Sequence, residues 1–170
     1  MLFRSIEEWL ENDLKLADSE SNRKERPWII NFSHFPFYCS SDNPTCASGT
    51  SSFSRLDDII HKYNVDLFIN AHVHKYERSY PVYKTYAGFD EVDKNTTFCD
   101  VYKNPRGTVF VTEGLPGNDK SSDENFEPKE FSKVVSDTKG YGVLRIINES
   151  TLFYERKDSF TGTIIDNFMI

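Results

Sequence analysis

Apolar side chains in the first part of the chain alternate between helical and strand spacing. A capping-box pattern at residues 5–8, followed by apolar side chains at helical spacing, predicts an amphipathic helix over residues 5–18. A nearly continuous apolar run at residues 28–33 predicts a buried strand, because strands of parallel sheets are covered on both faces. The same two patterns recur as a helix over residues 56–63 and a strand over residues 65–70. Strand, helix and strand in this order predict a right-handed βαβ unit with parallel strands.

In the last third of the chain the pattern changes to short β-rich segments between polar turns. These segments are residues 108–112, 141–147, 152–156 and 163–169. They predict an antiparallel meander that packs on the α/β part. The expected fold is therefore α/β in its first part and α+β overall, with a division into residues 1–103 and residues 104–170.

The composition describes a folded, acidic chain. Of its 170 residues, 38% are hydrophobic and 15% are aromatic, which is enough apolar surface to bury a core. The net charge of −7 and the pI of 5.1 argue against a nucleic-acid partner, which needs clustered Lys and Arg. No run approaches the roughly 18 to 20 apolar residues that span a bilayer, and the start of the chain lacks the apolar segment of a signal peptide. Neither nucleic acid nor membrane is an expected partner.

Three of the four histidines follow the two predicted parallel strands directly. His34 comes after the first strand, and His72 and His74 come after the second. Because the carboxyl ends of parallel strands meet at one edge of a sheet, these side chains are candidates for a common metal site. Two surface or hydrogen-bonded histidines remain the alternative for the closely spaced pair. His61 lies on the predicted helix and is expected to be a solvated or capping residue.

Two segments resemble motifs of a known family. Residues 33–40, Ser-His-Phe-Pro-Phe-Tyr-Cys-Ser, resemble the Gly-His-x-Pro-x-Tyr segment of purple acid phosphatases, which are calcineurin-like metallophosphoesterases. Residues 71–81, Ala-His-Val-His-Lys-Tyr-Glu-Arg-Ser-Tyr-Pro, resemble the family's Gly-His-x-His-x-Tyr-Glu-Arg signature. Residues 104–109 and 140–144 are similar to the family's carboxyl-terminal segment. The resemblance implies a partial metallophosphoesterase sandwich that includes this segment.

The resemblance also implies an activity and a cofactor. Purple acid phosphatases hydrolyse phosphate monoesters through a metal-bound hydroxide at a dinuclear centre of Fe(III) with Zn, Mn or Fe(II). By motif matching, His34 and His72 correspond to ligands of the divalent metal and His74 to a ligand of the ferric ion. A secreted, lysosomal or vacuolar location is implied as well.

The sequence also departs from the family pattern. Ser33 and Ala71 stand where glycine is usual, and the upstream motifs that supply a bridging carboxylate, a tyrosinate, an Asn ligand and a substrate-facing His are not found in this chain. We therefore expect an incomplete metal site, completed by a missing amino-terminal half or by a second copy of the chain. The alternative is a non-catalytic binding or structural module that is derived from the same fold.

The residues after the histidine pair are expected to support it from a second layer. Tyr76, Glu77 and Arg78 correspond to the Tyr-Glu-Arg part of the signature, and a Glu77–Arg78 pair could fix the loop that carries the two histidines.

The cysteines and sequons of the chain are typical of a secreted protein. Cys39 and Cys46 bracket a turn-rich segment and are candidates for a small disulfide loop, whereas Cys99 has no obvious partner in the sequence. Asn95 and Asn148 begin sequons in polar, turn-like segments and are candidates for glycosylation.

Overall fold

Three helices and two sheets are formed by the residues that the structure, a computed structural model, describes, namely 2–42, 54–84, 86–89, 92–93, 98–117 and 126–170. The helices are α1 (Leu2–Ala17), α2 (Glu20–Glu25) and α3 (Ser54–Lys62). The strands are β1 (Ile30–Phe32), β2 (Leu67–Asn70), β3 (Tyr76–Tyr83), β4 (Tyr86–Ala87), β5 (Asp100–Val101), β6 (Thr108–Glu113), β7 (Ser132–Ser136), β8 (Gly140–Asn148), β9 (Thr151–Asp158) and β10 (Ile164–Met169). Among the described residues, no helix has the length and apolar character needed to cross a bilayer.

The first sheet has the strand order β1-β2-β6-β3-β4, with β7 also paired to β3. Its first three strands are parallel: β1 pairs with β2, and β2 pairs with β6. β3 runs antiparallel to β6 and to β7. Helix α3 lies between β1 and β2 in the chain, so the predicted βαβ unit with parallel strands is confirmed.

The second sheet has the strand order β5-β10-β9-β8. β8, β9 and β10 form the predicted antiparallel meander, and β5 adds to it in parallel with β10. The prediction that residues 108–112 belong to this meander is wrong. They form β6, which pairs with β2 in the first sheet. The first sheet takes strands from both sides of residue 103. The division of the chain into residues 1–103 and 104–170 stays a prediction.

Two apolar clusters lie on opposite faces of the first sheet. One cluster joins helices α1 and α3 to the sheet, and it includes Leu14, Ile60 and Phe110. The other fills the space between the two sheets, and it includes Val109 and Val111. Alternate residues of β6 thus face different clusters, which explains why both faces of this strand are apolar. The layers are helices, first sheet and second sheet.

Candidate metal centre

The candidate site lies at the carboxyl ends of β1 and β2. The two strands are in register, with Phe32 opposite Ile69, and hydrogen bonds continue beyond their ends. The Ser33 amide donates to the carbonyl of Ile69 at 3.1 Å, and the Ala71 amide donates to the carbonyl of His34 at 3.1 Å. The pairing of the strands therefore brings the backbone before His72 against that of His34.

The imidazoles of His34 and His72 are in contact. His34 Nε2 and His72 Nδ1 are 3.0 Å apart, and the ring centroids are separated by 4.9 Å. His72 has a φ of 64°, in the left-handed region that few residues other than glycine adopt. This conformation turns the chain sharply after β2, so that the His72 ring lies against a residue from the neighbouring strand.

The short loop after His72 is anchored by its central residue. Val73 is fully buried, its amide donates to the carbonyl of Ala71 at 2.8 Å, and its carbonyl accepts from the Lys75 amide at 2.8 Å. Gly114 packs against the loop so closely that a Cβ atom at this position would lie 1.6 Å from the Val73 carbonyl oxygen. The loop therefore depends on the absence of a side chain at Gly114.

The spacing of the two histidine nitrogens fits a common metal ion. Metal–imidazole bonds of about 2.0 to 2.1 Å, at angles between octahedral and tetrahedral, place two nitrogens about 2.8 to 3.4 Å apart. The observed 3.0 Å lies within this range. His74 is half-buried at the other end of the loop. Among the described residues, no group of three or more His, Cys, Asp or Glu side chains could hold a metal ion. The ligand assignments of His34, His72 and His74 therefore stay predictions.

Two residues at this edge were not predicted from the sequence. Phe35 is 44% exposed and its ring lies against both imidazoles, with centroids 5.1 Å from His34 and 4.5 Å from His72. Asn70 is buried at the end of β2 and its Oδ1 accepts a hydrogen bond from Thr112 at 2.6 Å. The Asn70 Nδ2 has no partner in the part of the chain that the structure describes. A polar residue at the end of an apolar strand was the available signal.

Glu77 connects the segments that carry the histidines. Its carboxylate accepts the Ser40 amide at 3.0 Å and the Ser40 hydroxyl at 2.5 Å, and it also accepts the Ser132 hydroxyl. Burial raises the pKa of Glu77 above its ordinary value. The considered Glu77–Arg78 pair is not formed, because consecutive residues of β3 face opposite sides of the sheet.

Tyr76 and Arg78 face the second sheet. Asp166 of β10 accepts the Tyr76 hydroxyl at 2.6 Å and the Arg78 Nε at 2.7 Å. Burial raises the pKa of Tyr76 well above its ordinary value, so its hydroxyl stays a hydrogen-bond donor. The three residues after the histidine loop thus hold it from two sides.

The other predicted residues are the cysteines and the glycosylation candidates. Cys39 is disulfide-bonded, Cys46 lies outside the described residues, and Cys99 retains its thiol. Asn95 also lies outside the described residues, whereas Asn148 is exposed at the turn between β8 and β9.

The sequence matches known phosphoesterases along most of its length. A family model described as "Calcineurin-like phosphoesterase" matches residues 2–76, and one described as "Iron/zinc purple acid phosphatase-like protein C" matches residues 107–167. "Acid phosphatase type 7" of Danio rerio is 34% identical over 186 residues, which cover 100% of this chain and 40% of that protein. The chain belongs to the purple acid phosphatase family. Membership in this family implies a dinuclear metal centre.

Further members of the purple acid phosphatase family agree with this assignment. The structure of purple acid phosphatase PPD1 from yellow lupin seeds superimposes with a TM-score of 0.71 at 25% identity, over 96% of this chain and 27% of that one. "Probable inactive purple acid phosphatase 24" of Arabidopsis thaliana is 31% identical over 95% of this chain and 25% of its own length. The chain thus spans two fifths or less of the length of these relatives, the Danio rerio protein at 40% included.

Proposed function

We propose that the chain is the carboxyl-terminal part of a dinuclear-metal acid phosphatase that hydrolyses phosphate monoesters. In this proposal His34, His72 and His74 are metal ligands, and the metals are Fe(III) with Zn, Mn or Fe(II). The observation that supports it is the 3.0 Å contact between His34 Nε2 and His72 Nδ1 at the carboxyl edge of the parallel strands. Ligands in open α/β sheets bind at this edge.

The chain's own residues would bind the metal and keep the site in shape. His34 and His72 would each turn a neutral nitrogen towards the ion, so the hydrogen bond between them must be given up when the metal binds. Glu77 would keep the two histidine-bearing segments together through Ser40. When bound, the metal pair would supply the Lewis acid that holds the phosphate and activates water.

The identified ligands are all neutral, which points to an incomplete site. Two metal ions need anionic ligands to offset their charge, and the three imidazoles carry none. Within the described residues, no carboxylate joins these histidines in a three-membered group. We therefore propose that a further segment or a second copy of the chain completes the site.

The absence of such a group among the described residues also favours a second candidate function. A non-catalytic binding or structural module would retain the sheets and the histidine pair without supporting turnover. One relative of the chain carries the name "Probable inactive purple acid phosphatase 24".

The proposal includes a secreted, lysosomal or vacuolar location with glycosylation at Asn148 and Asn95. Its support is the disulfide bond of Cys39 and the exposure of Asn148 at a turn, where Asn148 Oδ1 accepts the Ser150 amide at 2.9 Å. An exposed turn can accept a glycan without loss of packing.

A cobalt titration tests the metal site. Co(II) absorption should develop on titration of the wild-type chain, and His72→Ala should weaken binding by at least about tenfold, since loss of a ligand should cost no less than loss of a supporting residue. His61→Ala is the matched control, because the His61 ring stacks on that of Tyr83, away from His34 and His72, with the two ring centroids 3.7 Å apart. Equal cobalt binding by the wild-type chain and His72→Ala would overturn the proposal.

A further inference from the structure

The layer between the two sheets contains a buried polar network beside its apolar cluster. Asp166 of β10, only 8% exposed, accepts three hydrogen bonds from β3. They come from the Tyr76 hydroxyl at 2.6 Å, Arg78 Nε at 2.7 Å and Arg78 Nη2 at 2.8 Å. The Asp166 carboxylate therefore holds two successive inward-facing residues of one strand.

The second sheet also supplies the other partners of Arg78. Arg78 is fully buried, and its Nη2 donates to Asp100 Oδ2 at 2.7 Å. Its Nη1 donates to the hydroxyl of Tyr102, and the guanidinium lies 4.9 Å from the ring centroid of Phe168. Within the described residues, the Arg78 side chain thus takes its hydrogen-bond partners from residues 100–102 and β10, on the far side of the sheet from the helices.

A reciprocal contact fixes the start of β3 from the other sheet. Arg156 of β9 is also fully buried and forms an ion pair with Glu113 at the end of β6. The Arg156 guanidinium lies 4.6 Å from the ring centroid of Tyr76. Arg78 of the first sheet therefore pairs with Asp166 of the second, and Arg156 of the second sheet pairs with Glu113 of the first. Tyr76 contacts both pairs, through Asp166 and Arg156.

The start of β3 is also the end of the histidine loop. Tyr76 follows His74 by only two residues, and the Gly114 amide donates to the carbonyl of Lys75, which lies between them, at 3.2 Å. A loop of this kind takes its position from the elements at its two ends. At the end of the loop that follows His74, this element is β3, whose first residue, Tyr76, donates a hydrogen bond to Asp166.

We infer that Asp166 is a positioning residue for the loop that carries His72 and His74. The inference rests on the proposed metal site and names the part of the second sheet that keeps it in place. Burial of an ion pair costs solvation free energy that an apolar contact avoids, so such pairs contribute little net stability. Their geometry, by contrast, is highly specific, because a carboxylate accepts a guanidinium in only a few orientations.

Cobalt affinity and thermal stability, measured together, test this inference. Asp166→Asn should weaken Co(II) binding about tenfold, at the lower end of the effects known for residues that support metal ligands. Tyr76→Phe removes one donor to Asp166 without a change of charge or shape, and it should weaken Co(II) binding by about threefold and alter the Co(II) absorption spectrum. If Asp166→Asn fails to fold, Tyr76→Phe decides the question.

The matched control is Leu152→Ala. Leu152 is fully buried in the same layer between the sheets but belongs to the apolar cluster. It should lower the midpoint of thermal unfolding while leaving the cobalt dissociation constant within about twofold of the wild-type value. Wild-type affinity and spectrum in Tyr76→Phe, or an equal loss of affinity in Leu152→Ala, would overturn the inference. Failure of the proposed metal site would look different, because wild-type cobalt binding would then be insensitive to His72→Ala.

Discussion

Two neighbouring acids on α3 show how strongly the local environment decides the behaviour of one residue. Asp57 is buried, and its Oδ2 accepts the Tyr38 hydroxyl at 2.7 Å. Burial raises the pKa of Asp57 above its ordinary value. Asp58 faces solvent, and its hydrogen bonds to Lys84 and Tyr83 lower its pKa. The two carboxyl groups therefore affect stability in opposite ways as the pH changes.

The first prediction concerns this pH dependence. Because the folded pKa of Asp57 lies above the unfolded value, its contribution to stability is greatest below that value and is lost as the pH rises through the folded pKa. Asp57→Asn should therefore flatten the fall in the thermal unfolding midpoint between about pH 4 and neutrality. Asp58→Asn is the control, because the Asp58 contribution is lost only as the pH falls through a lowered pKa. An unchanged slope above pH ~4 in Asp57→Asn would contradict the prediction.

Among the elements, the strands at the edge of the site differ in how well the sequence predicts them. β2 and β6 have apolar residues facing both clusters and can be located from this pattern. β3 is buried along most of its length, yet its first half reads Tyr-Glu-Arg-Ser. No apolar period marks this half of the strand, because hydrogen-bonded polar groups replace apolar packing on both faces.

The second prediction is made for the close contact between β6 and the histidine loop. Gly114→Ala places a Cβ atom 1.6 Å from the Val73 carbonyl oxygen, so the loop must move. We expect a loss of about 1 to 3 kcal/mol in the free energy of unfolding and a weaker metal site. Gly117→Ala is the matched control, since no atom of the described residues lies within 4 Å of the added Cβ. Chemical denaturation measures both, and equal stability of the two variants would refute the close-packing argument.

At the scale of the whole molecule, the candidate site depends on residues that are far apart in the sequence. The positions of His34, His72 and His74 after strands suggested a site; the structure brings the imidazoles of His34 and His72 into contact, and the ligand roles of all three stay predictions. The supporting role of the second sheet was not predicted. Arg78 and Asp166 are 88 residues apart, and no local pattern indicates such a pair. Sequence periodicity reports only which face of an element is buried, not which partner covers it.

The third prediction concerns the activity of the chain by itself. With only neutral imidazoles identified as ligands, a second metal ion has no anionic group to hold it at the reacting distance. The purified 170-residue chain, supplied with iron and zinc or manganese, should show no phosphomonoesterase activity above background. An aryl phosphate assay between about pH 4 and pH 7 covers the range in which histidine becomes able to bind metals. Turnover that disappears in His72→Ala would show that acidic residues of this chain complete the site.

Anomalous diffraction at the zinc edge, from crystals of the chain grown with zinc, tests the proposed metal site most directly. A zinc ion should be bonded to His34 Nε2 and His72 Nδ1, each at about 2.0 to 2.1 Å, at the carboxyl ends of β1 and β2. The hydrogen bond that joins these two nitrogens at 3.0 Å should be replaced by the two metal bonds. Zinc bound only at other residues, with the two imidazoles still hydrogen-bonded to each other, would rule out the proposed metal site.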